Sequence, residues 1–125
     1  MGVLLGFLLA RVSDIWSEKR KGYRIRRMLR DEQQRNLDDL ERWLMAVERE
    51  DFPESLPAQS NIVWETHLPM LYLLEEEEFN RAHSFVMERH TLKKQAEKVA
   101  NQPRKEQANQ LAKSVREFLK KYRDN

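Results

Sequence analysis

Residues 2–16 read GVLLGFLLARVSDIW and residues 17–30 continue SEKRKGYRIRRMLR. An apolar stretch gives way at once to a basic one, and what covers this quarter of the chain decides how the rest is built. From Gly2 to Ala10 nine residues pass without a polar side chain. On a helical wheel Leu4, Leu5, Leu8, Leu9, Val12, Ile15 and Trp16 share one broad face, with Arg11 and Asp14 opposite. Residues 1–18 therefore read as an amphipathic helix whose apolar side must be buried somewhere.

A spanning helix needs about 20 apolar residues to cross a hydrocarbon core of about 30 Å, and the uninterrupted run here would rise only about 13 Å. Extending it to Trp16 brings in Arg11 and Asp14, each costing roughly 2.5–3.5 kcal/mol at a helix centre and less near an edge. Their spacing of three lets them pair. An apolar run continuing upstream of Met1 would turn the segment into a spanning one. As it stands, the segment fits shallow insertion: Leu4, Leu5, Phe7, Leu8 and Leu9 enter the lipid and Trp16 sits at the interface. Each large side chain gains roughly 1.5–3 kcal/mol if fully buried. The competing reading packs the same face on the chain's own helices.

The flanks argue against two other fates. A cleaved export signal places its basic residues before the apolar run and a small-residue cleavage site after it, and neither holds here. Gly2 is followed by Gly6 where a myristoylation motif wants Ser or Thr.

Seven of the twelve residues from Lys19 to Arg30 are basic and none is acidic, although the net charge is only +2. Lys19, Arg20, Lys21, Arg24, Arg26, Arg27 and Arg30 so placed favour an anionic leaflet, where each contributes about 1 kcal/mol. The second reading is nucleic acid, bound through phosphates by a soluble helical module in which Leu4 to Trp16 completes the core. Tyr23 is the block's one aromatic residue, and no known nucleic-acid-binding motif surrounds it.

Charged residues make up 35% of the chain and Gly and Pro are few, which favours long solvated helices and an all-α fold. No proline interrupts residues 19–50, where Leu29, Gln33, Leu37, Leu40, Trp43, Leu44 and Val47 line one side, predicting a long helix, basic first and amphipathic after. The sequence Arg26-Arg27-Met28-Leu29-Arg30-Asp31-Glu32, with Asn36-Leu37 one turn on, follows the short apolar anchor and precedes a Trp-containing short helix and a longer one. Across residues 1–95 this layout resembles small bacterial single-anchor proteins with a basic juxtamembrane helix and a cytoplasmic helical domain. The resemblance implies a location, the cytoplasmic face of an inner membrane, and supplies no activity and no catalytic residue.

Residues 51–60, with Pro53 and Pro57, read as a linker, and residues 61–125 as a small helical bundle. Ser60 or Asn61 is placed to cap a short helix reaching His67 with Trp64 inward, after which Pro69 turns the chain. Glu75 to Glu78 suit the positive end of a helix running to about Ala100. Asn101-Gln102-Pro103 ends it, with Pro103 opening the next. In that last helix Ala108, Leu111, Val115, Phe118 and Tyr122 recur at alternating spacings of three and four, a seam that asks for a partner helix. An antiparallel hairpin with residues 79–99 satisfies it inside the chain; left open, the seam of Leu111, Val115, Phe118 and Tyr122, or the Trp43 face, would meet a protein partner or a second copy.

Chemistry is sparse. There is no cysteine, so disulfides and thiolate sites are excluded. His83, Met87 and His90 fall on one helical side, but a zinc site takes three or four ligands and His67 has no reason to join them. No phosphate-cradling glycine loop or nucleophile motif appears. The sequence thus predicts no cofactor, no small-molecule substrate and no catalysis, but a membrane-associated helical tether or scaffold for a partner, with a cytoplasmic nucleic-acid-binding module as the alternative.

Overall fold

A computed structural model describes residues 2–50, 56–57 and 61–123, with side chains from Leu4 onward. The described residues are all-α: α1 (Gly2–Glu48), α2 (Ile62–Thr66), a 3-10 turn (Leu68–Leu73), α3 (Glu76–Lys98) and α4 (Arg104–Arg123). Most of the expected linker 51–60, including the candidate cap Ser60, lies outside the described residues.

The N-terminal amphipathic stretch continues into the basic one as a single helix. Ser17, Glu18 and Lys19 carry no breaker, and one helix of 47 residues runs through them, about 70 Å long at 1.5 Å per residue. It ends where Glu50 takes a left-handed φ of 61°, while the Arg49 and Glu50 N–H groups donate back to Met45 and Val47 at 3.1 and 3.0 Å. That satisfies terminal carbonyls in the manner of a left-handed cap, here without the usual glycine.

The expected apolar residues of the α1 stripe, Leu29, Leu37, Leu40, Trp43, Leu44 and Val47, are all buried. Gln33 is only half-buried, and the buried face runs through Ile25, Leu29, Glu32, Asn36, Leu40, Trp43 and Val47, spacings of three and four that keep one side inward. Two polar residues therefore lie on the core side. The Glu32 carboxylate accepts the Val63 N–H at 3.0 Å and so caps α2 from across the molecule, satisfying a donor that the first turn leaves unpaired. Asn61 occupies the cap position without a side-chain cap bond; its Oδ1 accepts instead from Arg89 of α3. Burial pushes the Arg89 guanidinium below its ordinary pKa, and the Glu32 charge opposes that shift.

Pro69 stands in the first turn of the 3-10 segment, where its missing N–H leaves no helical bond unmade. Pro103 sits just outside α4, and its carbonyl receives the Gln107 N–H at 3.0 Å. The core has two parts. One gathers Ile25 and Leu29 of α1 with Trp64, Leu71, Leu74 and Ala82. The larger one joins Leu37 to Val47 of α1 to Phe85, Leu92 and the inner side of α4.

Within it Leu111, Val115, Phe118 and Tyr122 are all buried, and Phe85, Phe118 and Tyr122 form a ring cluster with centroids 4.8–5.1 Å apart. Helix α4 lies on both α3 and α1, more extensively on α1. Its seam is thus filled from within the chain, and Trp43 is buried in the same cluster, so neither is left open to a partner. Arg123 pins the end of α4 to Asp38 and Glu41 of α1. The hydrogen bond from Arg123 holds the Asp38 carboxyl below the usual carboxylate range.

Candidate membrane-binding surface

The bundle stops covering α1 at Gly22. There the 3-10 turn comes so close that a Cβ added to Gly22 would stand 3.3 Å from the Leu73 carbonyl oxygen and 3.5 Å from its Cβ. Glycine permits that approach and marks where α1 leaves the protein body. Residues 4–21 lie on the exposed side of this point, a projection of about 27 Å at the helical rise.

Leu4, Leu5, Phe7, Leu8, Leu9, Val12, Ile15 and Trp16 are 50–71% exposed. This corrects the alternative reading in which Leu4 to Trp16 completes the core. Helix α2, the 3-10 turn and α4 pack on α1 from Gly22 onward, and Leu4 to Trp16 stay exposed. Eight large hydrophobic side chains in sequence thus face solvent together. Monomeric proteins rarely expose a contiguous apolar patch of this kind unless it meets another surface.

The basic block straddles the exit. Lys19, Arg20, Lys21, Arg24, Arg27 and Arg30 are exposed, while Arg26 is half-buried and pairs with Glu78 in the first turn of α3. The acidic run at the start of α3 is therefore drawn into the fold through one member of the basic block. An open groove of about 850 Å³ forms at the exit, lined by Trp16, Arg20, Tyr23, Arg24, Arg27 and Leu73 among others. In the 3-10 turn Tyr72 is 72% exposed and Leu68 55%. These two were missed in the sequence, where Pro69 hides the periodicity of a 3-10 turn.

The remaining candidates disperse. His83 stacks on Phe79 with ring centroids 6.0 Å apart, and His67 Nδ1 lies 3.0 Å from the Val63 carbonyl oxygen. Among the described residues no group of three His, Asp or Glu side chains is disposed to hold a metal ion. Nor is any described helix long and apolar enough to cross a membrane. No family model, curated protein or solved structure matches this chain.

Proposed function

We propose that the protein is a noncatalytic tether that holds a small helical bundle at an anionic membrane surface, facing the cytoplasm. One observation carries the reading: the apolar side chains from Leu4 to Trp16 are at least half exposed, followed immediately by a basic block six of whose members are also exposed. Burial in lipid removes the apolar area from water, and the adjoining cations gain from an anionic leaflet. The order of apolar, aromatic and basic residues also agrees with the positive-inside pattern.

A parallel coiled coil with a second copy accounts for less of the surface. A seam of Leu5, Leu8, Val12 and Ile15 has the required spacing, but it leaves Phe7 outside. A protein partner of the tether would meet the solvent side of the bundle, since the α4 seam lies in the core. Flotation of the full chain with vesicles tests the reading. It should rise with vesicles containing phosphatidylserine, and salt should weaken its binding. A chain that stays at the bottom with every vesicle, and is instead retained by nucleic acid in a salt-sensitive way, would establish the other reading.

A further inference from the structure

We infer that α1 enters the membrane steeply, with residues 2–10 directed into the hydrocarbon, instead of lying flat along the interface. The inference rests on the tether reading above. Three observations carry it.

The first is the distribution of apolar residues around the helix. At 100° per residue Phe7 lies far round from the face shared by Leu4, Leu5, Leu8 and Leu9, yet it is equally apolar and 61% exposed. A flat helix would leave Phe7 on the water side. A helix entering end-on surrounds it with hydrocarbon. The second is polarity along the axis: from Gly2 to Ala10 the helix rises about 13 Å without a polar side chain before it meets Arg11. Arg11 then stands at the boundary, with Asp14 and Trp16 among the headgroups.

The third is the position of the bundle. Gly22, Ile25 and Leu29, which face it, lie about a quarter turn round the helix from the centre of the Leu4–Trp16 face. With that face turned down flat, the packed elements would stand beside the helix at the level of its axis. Their lower half would be driven into the headgroups. Raising the bundle end of α1 removes the conflict.

Steep entry divides the basic block. Lys19, Arg20 and Lys21 come within side-chain reach of the phosphates, whereas Arg24, Arg27 and Arg30 stand one to two turns or more further out, where an ~8 Å screening length weakens their attraction.

The chain has no cysteine, so single spin labels report depth directly on the full-length protein. We would place them at Phe7→Cys, Leu8→Cys, Val12→Cys and Ser17→Cys, on vesicles of equal parts phosphatidylcholine and phosphatidylserine. Depth should fall steadily by ~1.5 Å per residue toward Ser17, and the labels at positions 7 and 8 should be nearly level. Neutralising Lys19, Arg20 and Lys21 to Gln should weaken partitioning at least tenfold, and neutralising Arg24, Arg27 and Arg30 no more than about threefold. Depth that oscillates with the helical period, leaving position 7 about 10 Å shallower than position 8, would overturn steep entry while leaving the tether intact. Equal losses from the two triple substitutions would also overturn it. Absence of vesicle binding by the unlabelled chain would overturn the tether and this inference together.

Discussion

Replacing Leu4, Leu5, Leu8 and Leu9 together by Gln separates what the projecting helix does for the fold from what it does for binding. Glutamine keeps nearly the helix propensity of leucine, so the substitution removes apolar surface and leaves the helix. In the free protein these side chains are 57–71% exposed, and surface changes of this kind stay within about 0.5 kcal/mol. The contrast is Phe85, 1% exposed at the centre of the ring cluster, where truncation to Ala should remove about 3–5 kcal/mol. In lipid the balance reverses. Four leucines gain together roughly 6–12 kcal/mol on burial, and at 1.4 kcal/mol per decade the variant's vesicle partitioning should fall by about four orders of magnitude or more. Urea unfolding followed by circular dichroism gives the first quantity and vesicle flotation the second. A loss of 2 kcal/mol or more in urea would mean that the bundle covers these leucines, and undiminished flotation would mean that other residues make the contact. Either result refutes the reasoning.

Three further outcomes follow from the packing. Glu32→Ala should destabilise by about 3 kcal/mol, since it removes the negative charge that favours the buried Arg89 cation and leaves the Val63 N–H without its acceptor; adding Arg89→Met should recover part of the loss, as a double-mutant cycle in urea would show. Gly22→Leu should destabilise by about 1–3 kcal/mol through collision with Leu73, whereas Gly22→Ala should lie close to wild type, its tight contact offset by a helix-propensity gain of about 1 kcal/mol. Burial, and then the Glu88 carboxylate, raise the Tyr122 phenol above its ordinary value of 10.0. Its neutral form is thus favoured by folding, and that stabilisation is complete below pH 10 and lost as pH rises beyond it; thermal melts of Tyr122→Phe should lack this alkaline decline.

The helices were legible because their ends carry local chemistry. Pro69 and Pro103 stand at starts, and the α4 seam repeats so regularly that all five of its expected positions are buried. Partner choice was not legible. Periodicity shows that the Leu111–Tyr122 face wants a neighbour, but α1 and α3 both offer apolar stripes, and α4 takes its larger share from α1. On α1 every apolar position of the expected stripe is buried, but Glu32 and Asn36, buried beside them, are polar and escape a pattern of apolar residues alone. Their spacing with Ile25, Leu29 and Leu40 is the trace they leave; the Val63 N–H that Glu32 accepts is brought to it only by the fold. For the surface itself, sequence supplied the apolar and basic residues of α1 but left open whether lipid or protein covers them. The exposure of Leu4 to Trp16 removes the chain's own core from that choice.

The unbroken passage of α1 from the projection into the bundle has a mechanical consequence. A domain hung on a flexible linker has its distance from a surface bounded and its heading left free. On the proposed tether the same helix is spar and foundation, so rotating the bundle means rotating the membrane end with it. Each face of the bundle then keeps a fixed bearing relative to the membrane plane, and a load applied to α3 or α4 reaches the lipid as torque.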